Sequence, residues 1–401
     1  MASGGRAILA SPRVGSGDGQ QQRHNGHHIA GRCRDANQLS KKQSYVIVER
    51  KRVSVFTAWF SIVTAHDNDL LFIGGAFSGL ALAVLLLSLA SHARPCVEQE
   101  EASLLQFLAG LTRHGGLAAS WRNGTAGCCC SWEGITCNRN GTVVEVSLAG
   151  RGLEGHISPA LGDLTGLQRL NLSHNSLSGG LPLWQLVSSS SMVVVDVSFN
   201  RLDGELGELP SSVTHGWPLQ VLNISSNVFT GEFPSSSWKL TTNLVVLNAS
   251  NNSFSGQVPY SFCLASASFA VLDLQYNKFS GNIPPVLGNC TMLRVPMIGH
   301  NDLRGTIPGE LFSSTSLERL SFRNTGLRGT LDGEHVAKLI ELVALDLGEN
   351  NFTDKIPESI GQLKRLEELY LDYNDMSGEL QSSLCNCTSL RNINLRNQAR
   401  T

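Results

Sequence analysis

Apolar and polar residues alternate in this chain in a short pattern that returns about every 25 residues. In its clearest copy, Leu170 and Leu172 alternate with polar residues and are followed by Asn175. Such alternation predicts a short β-strand with one buried face. The steps between equivalent positions run from 24 to 27 residues. In the other copies, the place of Asn175 is taken by Arg151, Asn200, Asn227, Asn252, Asn277, Asn301, Thr325, Asn350, Asn374 and Gln398.

This period and consensus are typical of leucine-rich repeats, of which we count eleven, with the last one incomplete. One strand cannot bury its leucines alone, but stacked repeats form a parallel sheet over a continuous core. The predicted fold is therefore an α/β solenoid across residues 141–401. We call the residue equivalent to Asn175 the ladder residue, because its amide is expected to bond to the backbone of the turn. A leucine-rich helical protein would not tolerate the Gly and Pro that recur in the repeats.

The segment before the repeats has two parts. Residues 1–69 are rich in polar residues and contain no repeat, which predicts a disordered extension or a gene-model artefact. Residues 70–90 carry no charge. The length of this uncharged stretch suits either a signal peptide or a retained signal anchor, and we assign the segment to residues 70–93. Small residues at Ser91 and Ala93 favour a signal peptide with cleavage after Ala93, whereas the distant Met1 favours an anchor.

Residues 94–140 are predicted to cap the open end of the solenoid. A helix with one buried face is expected around Leu104, Leu105, Phe107 and Leu108. Cysteines then cluster from Cys128 to Cys137, which indicates disulfides in an oxidising compartment. Zinc binding is the alternative, but the cluster lacks a second C-x-x-C pair or a spaced His.

These motifs resemble a known family. The cap run Cys129-Cys130-Ser-Trp132-Glu-Gly-Ile-Thr-Cys137 and the L-x-G-x-I-P repeats are similar to the extracellular part of plant leucine-rich-repeat receptor-like kinases. Within these, the cap and first repeats most resemble receptors for tyrosine-sulfated peptides, the phytosulfokine-receptor type. The resemblance implies a plant-type superhelix with a helical cap stapled by Cys96–Cys129 and Cys130–Cys137. The family's ligand-binding island is not matched, because no step exceeds 27 residues, so no ligand residue is carried over.

Four cysteines lie within the repeats. Cys290 and Cys387 occupy equivalent positions four repeats apart, too far to bond to each other. We therefore expect both to be small buried apolar residues, and we extend this interpretation to Cys263 and Cys385.

Charge and the sequence motifs together indicate that the protein acts by binding a partner. The net charge is −2 and charged residues make up 16% of the chain, which does not suggest a nucleic-acid partner. No catalytic motif is present, so we predict neither an enzyme nor a cofactor or metal site. The expected partner is a peptide or protein ligand, with a co-receptor as a further candidate.

The non-leucine strand positions are expected to face away from the core and to form the binding surface. Tyr and Arg are the residue types most enriched at interface anchors. The candidate residues are Asp273, Tyr276, Arg319, Arg323, Glu349, Glu368, Tyr370, Asp372 and Tyr373.

Nine N-x-S/T sequons follow residue 93, as expected of a chain in the secretory pathway. According to the repeat pattern, three of these sequons fall on exposed strand positions. Glycans at these positions would shield the exposed face of the sheet over repeats two to five and leave that of repeats six to ten uncovered. The sequon residues are Asn123, Asn140, Asn171, Asn223, Asn248, Asn251, Asn289, Asn351 and Asn386.

The resemblance implies the ligand-recognition region of a plant cell-surface receptor for a peptide hormone or an immune signal. The expected location is the extracellular face of the plasma membrane, or the apoplast if the chain is released. Because the repeats stop near Thr401 without a kinase, a truncated receptor is expected. The alternative is a secreted inhibitor of a pathogen cell-wall-degrading enzyme, a class that normally ends in a second cysteine cap.

Overall fold

The computed structural model describes residues 97–121, 129–188, 191–207, 216–234, 237–380, 382–396 and 398. The predicted extension (1–69) and the apolar segment (70–93) lie outside these residues. Within the described part, no helix is both long and apolar enough to cross a bilayer.

A twelve-stranded sheet runs through the whole described solenoid. Its first strand, Ile135–Cys137, is antiparallel to the second, and every later pair is parallel. We call the surface of this sheet that faces away from the core the concave face. The strands of the eleven repeats are Val143–Ser147, Arg169–Asn171, Val194–Asp196, Val221–Asn223, Val246–Asn248, Val271–Asp273, Val295–Met297, Arg319–Ser321, Ala344–Asp346, Glu368–Tyr370 and Asn392–Asn394.

Pairing in register places equivalent residues side by side, as in Val246 beside Val271 and Leu247 beside Leu272. The middle residue of the three-residue strands in repeats two to ten points inward, and Leu170, Leu247 and Leu369 are 0% exposed. This confirms the predicted α/β solenoid and its leucine column.

Helical turns cover the other side of the core. The α-helices are Glu98–Ala109, Leu117–Ser120, Leu183–Ser188, Ser261–Ala265 and Gly333–Val336. The 3-10 helices are Cys129–Ser131, Pro159–Asp163, Ser237–Leu240, Pro285–Asn289, Gly309–Ser313, Glu358–Gln362 and Ser382–Asn386.

One short strand of the cap and the short strands after the ladder residues form a second, lateral set of small sheets. They are Leu111–Arg113, Glu154–Gly155, Ser176–Gly179, Arg201–Leu202, Ser280–Gly281, Asp302–Leu303, Arg328–Gly329, Asn351–Asp354 and Asp375–Met376.

The cap helix Glu98–Ala109 closes the first repeat. It buries Leu104 and Phe107 completely, and Phe107 contacts the ring of Trp121, which stacks on Trp132 at 5.4 Å. These rings exclude water from the end of the leucine column, as the sequence predicts for a cap.

One carboxylate ties the cap to the sheet. Glu100 is 5% exposed, and its Oε2 accepts a hydrogen bond of 3.1 Å from the backbone N–H of Val143. Burial raises the pKa of Glu100, and the bond to Val143 partly opposes this.

Cys130 and Cys137 form a disulfide, as the resemblance implies. Cys129 is also disulfide-bonded, and its implied partner Cys96 lies outside the described residues. The sulfurs of Cys129, Cys130 and Cys137 lie within 4.8 Å of one another. Since they are oxidised, they are not the thiolate ligands that zinc requires.

Two predictions about the repeat cysteines are wrong. Cys263 forms a disulfide with Cys290, with Cα atoms 4.9 Å apart. Their sequence separation of 27 is close to one repeat, so the two positions are neighbours on adjacent turns. Cys385 is exposed and disulfide-bonded instead of buried and apolar. Cys387 is the one free cysteine among the described residues and is buried as predicted.

The ladder residues hold adjacent repeats together. Nδ2 of Asn301 donates to the carbonyls of Ile298 in its own repeat (2.8 Å) and of Leu274 in the preceding one (3.0 Å). Its Oδ1 accepts from the backbone N–H of Phe279 at 2.9 Å. The same double contact recurs at Asn175, Asn200, Asn227, Asn252, Asn277 and Asn374.

Thr325 is a weak point of this ladder. It is 3% exposed, and its hydroxyl lies 2.9 Å from Phe322 O and 2.9 Å from Asn350 Oδ1, so it lacks the amide that bonds to the preceding repeat. We expect Thr325→Asn to raise the free energy of unfolding by about 1 kcal/mol, because it adds one net hydrogen bond. Urea unfolding followed by circular dichroism measures this change.

The reciprocal variant Asn301→Thr is the matched control. It leaves the Leu274 carbonyl and the Phe279 N–H without their side-chain partner, which should cost about 2 kcal/mol. If both variants shift stability in the same direction, the ladder does not stabilise the solenoid in this way.

Candidate functional site: the concave face and its rim

In repeats two to ten, the residue just before the ladder residue has a left-handed backbone, with φ between 52° and 57°. Residues other than glycine adopt this conformation at a cost of about 1 kcal/mol. Its recurrence in nine successive repeats turns one side chain per repeat onto the edge of the sheet. We call this set the rim row: His174, Phe199, Ser226, Asn251, Tyr276, His300, Asn324, Glu349 and Tyr373.

Rings in the rim row stack on one another. Tyr276 and His300 lie 4.1 Å apart and nearly parallel, as do His174 and Phe199 at 4.3 Å. Phe199 is 50% exposed, Tyr276 37% and Tyr373 55%. Phe199 and Tyr276 are therefore held by a stacked neighbour yet accessible, a combination that suits an interface anchor.

Arg323 is the centre of a buried ion network. Its Nε donates to Asp346 at 3.0 Å and its Nη1 to Glu349 at 2.5 Å, while both terminal nitrogens donate to Asp372. The residue is only 9% exposed. Burial disfavours its charge, but the bonds to Asp372 and the charge of Asp346 outweigh this and raise the pKa of Arg323 above its ordinary value.

Glycine makes this network possible. A Cβ on Gly348 would collide with Nη2 of Arg323 and lie 2.7 Å from Oδ1 of Asp372. The Arg323 side chain therefore crosses repeat nine above Gly348 to reach repeat ten. Gln275 crosses Gly299 in the same way, and its Nε2 donates to Ser321 Oγ at 3.0 Å.

The rest of the predicted surface is more accessible. Arg319 and Glu368 form an ion pair of 3.6 Å across two repeats, with both side chains about one-third exposed. Tyr370 is half-buried, and Glu349 remains exposed beside Tyr373. The predicted binding residues therefore fall into two groups. Asp273, Arg323 and Asp372 are buried, and the other six are accessible.

Asp273 is buried on the strand of repeat six. It lies four positions before Asn277, the ladder residue of that repeat. Its neighbours across the sheet are Asn248 and Met297. Its Oδ1 accepts from the backbone N–H of Gln275 at 3.1 Å, and the Ser250 side chain also bonds to it. Desolvation raises the pKa of Asp273 to about 7, and these hydrogen bonds only partly oppose it.

A row of valines occupies the concave face six positions before the ladder in repeats three to seven. Each is at most 5% exposed because it packs against its equals on either side. They are Val194, Val221, Val246, Val271 and Val295. The alternating pattern marks these positions as outward-facing but does not reveal that they bury one another.

The premise of a glycan shield over repeats two to five is wrong at two of its three strand positions. Asn223 and Asn248 are each 6% exposed, and their Oδ1 atoms accept from the hydroxyls of Ser225 and Ser250 at 2.8 and 2.7 Å. Asn171 is half-buried, and the equivalent oxygen accepts from Ser173 at 2.8 Å. These asparagines close the turn that follows their strand.

The remaining sequons differ in position. Asn123 lies outside the described residues. Glycosylation at the others stays a prediction, and their asparagines are exposed: Asn140, Asn251, Asn289, Asn351 and Asn386.

Comparison with known families agrees with this architecture. Residues 97–138 match the leucine rich repeat N-terminal domain. The Leucine Rich Repeat family matches residues 166–184, 218–240, 243–264, 268–290, 341–363 and 365–387.

Two curated relatives come from Arabidopsis thaliana. The chain is 37% identical to phytosulfokine receptor 1 over 87 residues, which are 21% of this chain and 8% of that receptor. It is 37% identical to receptor-like protein 3 over 195 residues, which are 41% of this chain and 25% of that protein. The chain therefore matches a quarter or less of the length of either relative.

Among solved structures, the fold is similar to the Arabidopsis receptor kinase HAESA in complex with the peptide hormone IDA and the co-receptor SERK1. The TM-score is 0.66 with 27% identity, over 75% of this chain and 54% of that one. The chain therefore contains leucine-rich repeats, and its solenoid is similar to those of plant receptor ectodomains. The resemblance to plant leucine-rich-repeat receptors, including the phytosulfokine receptors, is confirmed.

Removal of the Arg323 charge tests the buried network. We expect Arg323→Met to lower the free energy of unfolding by about 3–5 kcal/mol, because Asp346 and Asp372 would stay buried without a counter-charge. Thermal unfolding of the purified chain at pH 7.5 gives the difference.

Arg319→Met is the matched control, since it removes a partly exposed ion pair whose loss costs about 1 kcal/mol or less. Equal destabilisation by both variants would contradict a special role for Arg323.

Replacement of Asp273 tests its protonation. A carboxyl with a raised folded-state pKa stabilises the fold at low pH, and this contribution is lost as pH rises from about 4 towards 7. Asn fits the same position in repeats four and five, as Asn223 and Asn248 show. Asp273→Asn should therefore unfold at a higher temperature than wild type above pH 7, with the difference shrinking towards pH 4. A difference that is constant across this range would refute the raised pKa.

Proposed function

We propose that this chain is the ligand-recognition region of a plant cell-surface receptor and that it binds an extracellular peptide or protein on repeats six to ten. The observation that carries the proposal is the accessible cluster of Tyr276, Arg319, Glu368, Tyr370 and Tyr373 on one half of the concave face and rim. Tyrosine and arginine supply large contact areas and directional hydrogen bonds, which makes them frequent anchors in interfaces.

The buried network beneath this cluster supports binding by a rigid surface. Arg323 fixes Glu349 from below, and Glu349 stands beside Tyr373 in the rim row. Because these side chains are already ordered, a ligand would lose less of its binding energy to ordering them. An extended peptide lying across successive repeats could contact one rim residue in each.

The relatives support a role at the cell surface. HAESA binds a peptide hormone together with a co-receptor, and we propose the same two kinds of partner here. We also propose that the chain enters the secretory pathway and acts by binding, without catalysis or a cofactor. Nothing in its charge favours a nucleic-acid ligand.

Selection from a random library of twelve-residue synthetic peptides against the purified secreted chain tests this proposal. We expect selected peptides to lose at least about tenfold in affinity for Tyr276→Ala and Tyr373→Ala, because each variant removes an anchor ring. Isothermal titration calorimetry gives the dissociation constants.

Phe199→Ala is the matched control, because it removes an equally exposed ring from the same row in repeat three. An equal loss of affinity in this variant would contradict a ligand site on repeats six to ten. Inhibition of a cell-wall-degrading enzyme by the wild-type chain, abolished by the tyrosine variants, would instead support the secreted-inhibitor alternative.

A further inference from the structure

A cavity opens on the lateral surface of repeats five to seven, away from the strands of the concave face. Its volume is about 300 Å³, and its lining comes from the segments that follow the ladder residues. The side chains that matter below are Gln257, Tyr260, Asn282, Pro284, Pro285 and Arg304. None of them belongs to the surface proposed above for the peptide ligand.

The cavity lies where a space that is filled in the two preceding repeats is open. In repeats four and five, a Cβ on Gly231 or Gly256 would lie 2.6 or 2.9 Å from the Cγ of Glu205 or Glu232, so these acidic side chains cover the glycines. In repeat six, the nearest atom to a Cβ on Gly281 is Cγ of Gln257, at 3.9 Å. Gln257 here takes the place of Glu205 and Glu232. Gly281 is therefore left uncovered, and the cavity wall carries one negative charge fewer.

Arg304 brings a positive charge to this cavity. Its residue is exposed, and no carboxylate of the described residues forms an ion pair with it. Arg294, Arg319 and Arg323, by contrast, each pair with an acidic residue. A guanidinium that lines a cavity and lacks an internal partner is available for a carboxylate ligand, which it can bind with two parallel hydrogen bonds.

The other lining residues indicate which further chemical groups a ligand would carry. Gln257 and Asn282 offer amide donors and acceptors, which suit neutral hydroxyl groups. Tyr260 is 40% exposed, and with the rings of Pro284 and Pro285 it supplies the apolar part of the lining. The volume equals that of about ten water molecules at about 30 Å³ each, which suits one six-membered ring with its substituents.

From this combination we propose that the lateral cavity binds a carboxylated sugar ring, that is, a uronic acid, as a monosaccharide or as one residue of an acidic oligosaccharide. Arg304 binds the carboxylate, Gln257 and Asn282 bind hydroxyl groups, and the ring stacks on Tyr260. This site is separate from the proposed peptide surface, so either proposal can fail without the other.

Calorimetric titration of the full purified chain with tri-galacturonate tests the site, with neutral tri-galactose as the matched ligand. We expect tri-galacturonate to bind and tri-galactose not to bind. Arg304→Gln should weaken tri-galacturonate binding at least tenfold, whereas Arg328→Gln should leave it unchanged. Arg328 is the matched control, because it is exposed at the equivalent position one repeat further on but does not line the cavity.

Three outcomes would overturn the proposal. They are the absence of tri-galacturonate binding at millimolar concentration, an equal loss in Arg304→Gln and Arg328→Gln, and binding of a tri-glutamate peptide as tightly as tri-galacturonate. The second would indicate attraction by bulk charge only, and the third a site for acidic peptides. Tyr276→Ala, which removes a residue of the peptide surface, should leave tri-galacturonate binding intact and so separates this test from that of the proposed function.

Discussion

Each repeat of this solenoid must satisfy the backbone groups that become buried where the chain leaves the strand. Stacking closes the sheet above and below every strand, so water cannot reach the turns inside. An unpaired N–H or carbonyl there costs about 1–3 kcal/mol. The ladder asparagine meets this demand because its amide both donates and accepts, and it does so across two repeats. Repeat spacing can therefore vary from 24 to 27 residues in the lateral and helical segments while the strand and its turn stay constant.

The tight spacing of equivalent residues also determines which concave side chains are accessible. Neighbouring strands lie about 4.8 Å apart, so a long side chain fits only if an adjacent position is small. Gly348 creates such a space, and Arg323 fills it to join Asp372. The valine row fills its face without gaps, because equal branched side chains pack against one another. Accessible chemistry is thereby concentrated on the rim and at the ion pair of Arg319 with Glu368.

The repeat pattern was sufficient to predict the strands, the leucine column and the ladder, because each depends on residues within one repeat. It could not predict the burial of Arg323 or Asn223, because burial depends on what occupies the same position in the adjacent repeats. The Cys263–Cys290 bond was missed for a related reason. The repeat pattern aligns only equivalent positions, whereas residues about one period apart but offset within the repeat also become neighbours.

The rim row shows how the fold separates stability from recognition. Glycine would adopt its left-handed backbone at no steric cost, yet the row holds His, Phe, Tyr, Asn, Ser and Glu in nine repeats. The strain of about 1 kcal/mol per residue is sustained because the ladder bonds on the next residue fix the backbone regardless of the side chain. Side chains at this edge can therefore change without disturbing the core. Apart from Glu349, which bonds to Arg323, the fold does not require these particular side chains, so the row is the part of each repeat that is freest to vary.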